Sequence, residues 1–388
     1  MEKKDKTLNV PNLRFPEFSG EWERKSLSDL VIRVTRKNKN NESRLPLTIS
    51  AQYGLVDQIS FFNKVVASND MSNYYLLHNG EFAYNKSYSG DYPWGAIKRL
   101  DRYEKGALSS LYICFAPQQV VHSDFLVHYF ESPKWHKEVS NIAGEGARNH
   151  GLLNIAVPDF FNTRHWVPSN RTEQEKIAAL FNLIEERIQT QKKIIEDLKK
   201  LKDAISFILF TSETCDKWEL SNLATIVMGQ SPSSQCYNTD NDGLPLIQGN
   251  LDITKGKLTP RLYSSEMTKK CHTGDVILTV RAPVGEVAIA DFDACIGRGV
   301  CAIRPFNNNY SVLIYQFLQH YKPKWISLEQ GSTFTSVSRN DIMSIKIGVP
   351  SIQAIEILNI LDDKISIEDV ILNNLNSQKN YLLAQMFK

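Results

Sequence analysis

This sequence lacks the features that identify several classes of protein. Six cysteines among 388 residues form no CxxC pair and no His/Cys spacing typical of a metal site, so we expect reduced thiols that pack in the interior. The longest apolar runs, such as residues 204–210, are far shorter than the roughly 20 residues that a membrane-spanning helix needs. Residues 1–7 carry lysines with no apolar segment behind them, which predicts no signal peptide. We therefore expect a cytoplasmic chain without a metal site or a membrane span.

A strong charge of one sign and the common catalytic motifs are also missing. The 45 Lys and Arg residues nearly balance 43 Asp and Glu residues, which alone indicates no polyanionic partner. No phosphate-binding loop is present, because six residues separate Gly249 from Gly256 and Leu258 stands where Ser or Thr is needed. The Asp-Pro-Pro-Tyr or Asn-Pro-Pro-Tyr segment of adenine methyltransferases is absent, as is a clear nuclease carboxylate cluster. We therefore expect no catalytic residue in this chain.

What the sequence does contain is a long internal repeat. The ordered matches are residues 78–84 with 272–278, 132–135 with 322–325, 159–169 with 341–351, and 184–188 with 361–365. Each match is loose, but their common order predicts two copies of one unit, a mixed α/β globular module followed by a long helix. The predicted divisions are a first module (1–168), a first helix (169–211), a second module (212–349) and a second helix (350–388).

The two helical segments carry heptad patterns. A capping box at Thr172–Glu175 is predicted to start the first helix. One seam then contains Ile177, Ile184, Gln191, Leu198 and Ile205, and the other contains Leu180, Arg187, Ile194, Leu201 and Ile208. These patterns favour an antiparallel coiled coil within the chain, although two independent amphipathic helices remain an alternative. Pairing of Arg187 with Glu368 and of Gln191 with Lys364 would avoid unpaired buried charges, so we expect those four residues to set the register.

Polar residues suited to reading DNA cluster in the loops of both modules. Arginine matches guanine edges, Asn and Gln match adenine, and Lys and Ser bind phosphates. The candidate DNA-binding residues are Asn85, Lys86, Arg99, Arg148 and Asn149 in the first module, and Gln248, Asn250, Lys255, Arg281, Arg298, Ser338 and Arg339 in the second.

The order of several segments resembles one family over essentially the whole chain. These segments are residues 12–18 followed by Glu21 and Trp22, then 168–177, 184–188, 246–250, 280–287 and 385–387. In this order they resemble the specificity subunit of type I restriction–modification systems. The second helix departs from the pattern, because Gln353 and Glu356 stand in place of the adjacent Glu-Gln pair of the first.

The resemblance implies a non-catalytic subunit in which each module is a target-recognition domain for one half of a split, asymmetric site on double-stranded DNA. It implies that the paired helices separate the modules and bind two adenine-N6 methyltransferase subunits, to which motor–nuclease subunits attach. S-adenosylmethionine, ATP and Mg²⁺ are then expected on those partners and not on this chain. Two other readings stay open: an autonomous nuclease or methylase of a new pattern, and a scaffold that binds only proteins.

Overall fold

The computed structural model describes residues 9–388 except 65, 66, 69, 91, 145–150, 214, 215 and 331–335, with the backbone alone at 326–330. The chain divides into two compact units. The first contains the residues up to Thr190 together with Ile371–Lys388, and the second contains Gln191–Val370. The two long helices contribute residues to both units.

The first unit is a mixed α/β module. Its strands are β1 (Glu23–Ser26), β2 (Val31–Arg33), β3 (Pro46–Ser50), β4 (Gly54–Asp57), β5 (Tyr75–His78), β6 (Phe82–Asn85), β7 (Ala96–Arg99), β8 (Lys105–Leu108), β9 (Ile113–Pro117) and β10 (Arg164–Val167). Its short helices are α1 (Leu27–Leu30), α2 (Gln58–Phe62), α3 (Ser123–Glu131), α4 (His136–Ile142) and α5 (Val157–Asn162). The long helix α6 (Arg171–Thr211) follows.

The second unit repeats this succession and ends in a second long helix. Its strands are β11 (Lys217–Glu219), β12 (Ala224–Met228), β13 (Tyr237–Asn238), β14 (Leu244–Ile247), β15 (Ile253–Thr254), β16 (Lys257–Leu258), β17 (Leu262–Ser264), β18 (Lys270–Cys271), β19 (Val276–Thr279), β20 (Val287–Ile289), β21 (Ala294–Ile296), β22 (Val300–Pro305) and β23 (Lys346–Gly348). Its helices are α7 (Asn309–Gln330) and α8 (Arg339–Met343), followed by α9 (Ile352–Met386).

The two units share their main strand pairings, and the second unit adds strand β13 and the hairpin β15–β16. The antiparallel sheet β2-β9-β6-β7 of the first unit corresponds to β12-β22-β19-β20 of the second. A second sheet in each unit contains a parallel pair, β3–β8 in the order β4-β3-β8-β5 and β14–β21 in the order β13-β17-β14-β21-β18. Each unit also pairs its first strand with its last, β1 with β10 and β11 with β23. This confirms the prediction of two mixed α/β modules built on one plan.

Each core includes side chains from the long helices. In the first unit, Phe82 and Phe115 of the antiparallel sheet pack in one cluster with Phe181 of α6 and with Phe387. In the second, Val276 and Leu278 of β19 pack in a cluster with Phe210 of α6 and Leu358 of α9. Because the helices contribute to the cores, they are fixed to the modules by apolar burial and not only by chain connection.

The start of α6 differs from the prediction. The side chain of Asn170 accepts a hydrogen bond from the Thr172 amide at 2.8 Å, so Asn170 caps the helix two residues before the predicted capping threonine. Glu175 instead pairs with Arg171 at 3.1 Å. The predicted Thr172–Glu175 capping box is therefore wrong, because asparagine at the preceding position is among the most favourable N-caps.

The long helices pack against each other and run antiparallel, which confirms the predicted pairing. In the first unit, Lys379 of α9 forms an ion pair with Glu185 of α6. In the second, Lys202 of α6 contacts Asp362 of α9 at 2.5 Å. Partner numbers on α9 fall as those on α6 rise, so the two chains run in opposite directions.

The predicted register is wrong. Gln191 donates to Glu368 Oε2 at 2.5 Å, and Lys364 pairs with Glu368 of its own helix at 2.6 Å, while Arg187 is exposed. Glu368 therefore contacts α6 one helical turn beyond the expected Arg187. Hydrogen bonds from Lys364 and then Gln191 lower the pKa of the Glu368 carboxyl.

The register prediction is wrong because the second predicted seam of α6, which contains Leu180 and Arg187, is not the one that faces α9. The residues that turn inward are Phe181, Ile188, Ile195 and Lys202, each one position after the predicted seam residue. Apolar residues occupy both alternatives at Leu180–Phe181 and Ile194–Ile195, so the heptad pattern fits either seam. Phe181 packs against Phe387 with ring centroids 5.6 Å apart, and this contact selects the seam that contains Phe181 and Ile195.

Candidate nucleic-acid interface

In the second unit, parallel strands bring two candidate residues to one sheet edge. Strands β14 and β21 pair in parallel, with Ile247 opposite Ile296. Their carboxyl ends therefore leave the sheet at the same edge. Gln248 follows β14 and Arg298 follows β21, and the Gly297 amide donates to the Ile247 carbonyl at 2.8 Å.

The end of β19 brings Arg281 to the same place. The Val280 amide donates to the Gly299 carbonyl at 2.9 Å, which holds Arg281 beside the chain that follows β21. A Cβ atom on Gly299 would lie 2.1 Å from the Gln248 carbonyl oxygen. Only glycine permits this close approach, so Gly299 brings the segments of Gln248 and Arg281 together.

A buried carboxylate, which the sequence reading missed, fixes the Gln248 loop. Asp252 is 2% exposed; its Oδ2 accepts from the Gln248 amide at 2.8 Å and its Oδ1 accepts from Arg261 Nε at 2.9 Å. An aspartate five residues after a strand end is too common a pattern to reveal this role from sequence.

These segments enclose an open cleft of about 710 Å³. Four of the predicted residues, Gln248, Asn250, Arg281 and Arg298, line it together with Tyr237. No acidic side chain is among the described residues that line it. The lining residues are Ser231, Pro232, Ser234, Tyr237, Gln248, Gly249, Asn250, Arg281, Ala282, Arg298 and Gly299.

The two arginine side chains of the cleft are available to a ligand. Both are exposed, and neither guanidinium makes a hydrogen bond or an ion pair with any residue that the structure describes. The backbone of Arg298 is nevertheless fixed, because its amide donates to Ser231 Oγ at 3.2 Å. The cleft thus presents two positive charges and two amide side chains on a fixed backbone, a combination suited to an anionic ligand with hydrogen-bonding edges.

The remaining candidates of the second module lie outside this cleft. Lys255 pairs with Asp369 of α9 at 2.7 Å. Ser338 caps α8, since its Oγ accepts from the Asp341 amide at 3.3 Å. Arg339 is exposed in the first turn of that helix. Ser338 therefore has a structural role, and Lys255 is held by an ion pair.

The candidates of the first module are more dispersed. Asn85 ends β6, and its Oδ1 accepts from the Ser87 amide at 3.0 Å, while the Lys86 carbonyl accepts from the Leu153 amide at 2.9 Å. The Arg99 guanidinium contacts Asp101 and Asp124, each at 2.6 Å. This engagement favours a structural role for Arg99. Arg148 and Asn149 lie outside the described residues.

Strand register identifies the first-module positions that correspond to the cleft. Leu47 pairs with Leu108 as Ile247 pairs with Ile296, and Ser87 bridges Leu152 as Arg281 bridges Ser336. All four corresponding residues carry hydroxyl groups. They are Thr48 for Gln248, Ser50 for Asn250, Ser87 for Arg281 and Ser110 for Arg298.

Apolar side chains also remain exposed along the long helices. Those on α6 are Leu183, Ile194, Leu201, Phe207 and Ile208, and those on α9 are Ile352, Ile357, Ile360, Ile367, Val370, Ile371 and Tyr381. They include Ile194, Leu201 and Ile208 of the predicted seam that the helix pair does not bury. Exposed apolar residues in such numbers are typical of surfaces that bind another protein.

No helix in the part of the chain that the structure describes is long and apolar enough to cross a membrane. No group of three or more His, Cys, Asp or Glu side chains there is arranged to hold a metal ion.

The sequence of the second half matches a known family. Residues 213–377 match the family model of the type I restriction modification DNA specificity domain. This segment contains the cleft and every residue that lines it.

A curated relative gives the same indication. Over 201 residues the chain is 33% identical to the putative type I restriction enzyme MjaX specificity subunit of Methanocaldococcus jannaschii. The match covers 47% of each protein, so the chain spans about half the length of this curated relative.

Solved structures share the fold over nearly the whole chain. A chain from work on complex assembly and conformational transition of the type I R-M system superposes with a TM-score of 0.62 at 21% identity, covering 96% of this chain and 99% of that one. The type I restriction–modification S subunit from M. genitalium gives a TM-score of 0.61 at 16% identity, covering 98% and 99%. The family-model match, the curated relative and this shared fold agree with the segments singled out from the sequence: residues 213–377 match the type I restriction modification DNA specificity domain, and the chain as a whole shares the fold of solved chains from type I restriction–modification systems.

Proposed function

We propose that this chain recognises DNA for a type I restriction–modification complex and catalyses no reaction itself. Each module, 1–168 and 212–349, acts as a target-recognition domain for one half of a split, asymmetric site on double-stranded DNA. The helical segments 169–211 and 350–388 act as the spacer between the two readers. A stiff spacer suits this task because two readers on one face of a duplex must sit a fixed number of helical turns apart.

The observation that carries the proposal is the cleft of the second module. Four residues whose side chains suit base reading lie together on one concave surface: Gln248, Asn250, Arg281 and Arg298. Guanidinium groups that have no partner and no acidic side chain beside them among the described lining residues attract a polyanion, and the amide side chains offer the donors and acceptors that base edges require.

The proposal includes partners that perform the chemistry. Two adenine-N6 methyltransferase subunits bind the exposed apolar faces of α6 and α9, and motor–nuclease subunits join through them. S-adenosylmethionine, ATP and Mg²⁺ belong to these partners. The complex works in the cytoplasm, where its DNA target lies.

The test of recognition is co-expression of this chain with its methyltransferase partner, followed by genome-wide mapping of N6-methyladenine by single-molecule sequencing. We expect a two-part asymmetric motif with a fixed gap, methylated on both strands. A palindromic motif, or no new methylation despite a stable complex, would contradict the proposal. The purified chain alone should neither methylate nor cut DNA.

The docking surface has its own test. Leu201 is 49% exposed on α6, so Leu201→Asp should leave folding intact while weakening co-purification of the methyltransferase. Asp203→Ala is the matched control, since it changes an exposed polar residue on the same helix. Equal recovery of the partner by both variants would place the docking surface elsewhere.

A further inference from the structure

The predicted DNA-binding residues that line the second-module cleft are arginines and carboxamides. Two arginines and two carboxamides face it, and no lysine is among its described lining residues. Lysine is a point charge that suits phosphate, whereas the planar guanidinium presents two parallel donors that fit O6 and N7 of guanine. The composition therefore favours contact with base edges over contact with the DNA backbone.

The way the loops are held supports the same conclusion. Reading a base requires a fixed backbone behind each side chain, and the cleft provides one at three of the four residues, Gln248, Arg281 and Arg298. Asp252 holds the Gln248 amide, Ser231 holds the Arg298 amide, and the Gly299 carbonyl holds the strand that ends at Arg281. A merely electrostatic patch would need none of these restraints.

We infer that the second module reads a half-site containing guanine, contacted in the major groove by Arg281 and Arg298, with Gln248 and Asn250 reading adjoining adenine. This inference rests on the proposed function and adds the base classes that the cleft selects. The first module carries Ser87 and Ser110 at the positions of the two arginines, so these positions provide guanine contacts in only one half of the target.

The experiment compares methylation motifs of variants co-expressed with the methyltransferase partner. Arg281→Ala and Arg298→Ala should each relax one guanine position, all in the same half-site, by on the order of 10- to 100-fold in preference. Lys346→Ala is the control, since Lys346 is exposed on β23 away from the cleft and its removal should leave the motif unchanged.

Lysine substitutions separate base contact from phosphate contact. Arg281→Lys and Arg298→Lys keep the charge but lose the paired donors. If the arginines read guanine, the lysine variants relax the same positions as the alanine variants. If they bind phosphate, the lysine variants keep the wild-type motif, and the inference is overturned.

Modified DNA gives an independent check on binding alone. Replacing the guanine of the relaxed position with 7-deazaguanine removes N7, so it should weaken binding of the wild-type complex and have little effect on the corresponding lysine variant. Equal weakening of both would overturn the guanine contact. A wild-type motif without guanine in either half would also overturn it while leaving the proposed function intact, whereas loss of all wild-type methylation would refute the proposed function itself.

Discussion

The two modules share a strand plan and differ in the side chains that the plan displays. At corresponding register positions the second module has Gln248, Arg281 and Arg298, and the first has the buried Thr48 and the exposed Ser87 and Ser110. The parallel pair, the flanking antiparallel strands and the bridges after β6 and β19 are the same in both. Under the proposed function, the framework does not determine which base is read, and different loop chemistry on one repeated scaffold gives an asymmetric target.

The starts of the long helices show a second difference. Glu173 of α6 is 1% exposed and accepts from Arg14 Nε at 2.7 Å and from Trp22 Nε1 at 3.1 Å. The start of α9 has no such acceptor among the described residues: Ile352 is exposed beside a cavity of about 340 Å³. The replacement of the Glu-Gln pair in the second helix thus leaves its first turn less firmly anchored.

The largest predicted effect comes from removing Glu173, whose carboxylate fixes the start of α6 to Arg14 and Trp22. Glu173→Ala leaves the Arg14 guanidinium, itself largely buried, without its carboxylate and should lower the free energy of unfolding of the first unit by about 3–5 kcal/mol. Glu175→Ala, on the exposed side of the same helical turn, is the control and should cost less than about 0.5 kcal/mol. Urea unfolding followed by tryptophan fluorescence suits this comparison, because Trp22, Trp94, Trp135 and Trp166 lie in the first unit.

Acid should also distinguish the units. Burial, with a small contribution from Arg24, lowers the pKa of His165 in the first unit to about 3, from an ordinary value of 6.5. The unfolded chain therefore binds a proton at His165 that the folded unit does not bind. The stability that the neutral ring contributes above pH 6.5 is lost as pH falls toward 3. Between pH 7 and pH 5 this one group should cost the first unit about 2 kcal/mol.

The control for acid sensitivity is His165→Gln, which retains hydrogen-bonding groups for Tyr129 and Thr163 without a titrating ring. Its urea midpoint should fall less than that of the wild type over the same pH range. Burial also lowers the pKa of His128, so part of the acid sensitivity of the first unit should remain in the variant. Parallel pH profiles of variant and wild type would exclude His165 as the cause.

Sequence alone predicted the repeat, the long helices and their antiparallel direction, because periodic patterns survive in a single chain. It did not predict the register, since Leu180–Phe181 and Ile194–Ile195 offer two seams and only the core contact of Phe181 with Phe387 chooses between them. It predicted Arg281 and Arg298 by residue type, and the fold places both in the cleft, but it also predicted Arg99, whose partners Asp101 and Asp124 are fixed by the fold. Asp252 escaped notice because its role depends on a loop geometry that no spacing reveals.

Removing an ion pair between α6 and α9 should have a smaller effect on the stability of each unit. Asp362 accepts from Lys202 and, at 2.7 Å, from Gln316 Nε2, and the Lys202 side chain is 10% exposed. Asp362→Ala should therefore destabilise the second unit by about 1–2 kcal/mol. Glu185→Ala in the first unit should cost less, because the structure records one partner, Lys379, for that carboxylate. Asp363→Ala, an exposed neighbour, is the control, and a loss equal to that of Asp362→Ala would remove the ion pair as the cause.

The smallest predicted effect tests the hydroxyl positions of the first module. Ser87→Ala and Ser110→Ala each remove at most one neutral hydrogen bond, so DNA affinity of the complex should fall by no more than about 10-fold. Neither serine change should alter the slope of log affinity against log salt concentration. Arg281→Ala and Arg298→Ala should each lower this slope only if the arginine also contacts phosphate. Filter-binding titrations at several salt concentrations, with all four variants on one target, measure both quantities. Losses from the serine variants as large as those from the arginine variants would mean that the two modules read their half-sites with equal strength, and the chemical contrast between them would then lie in loops other than these.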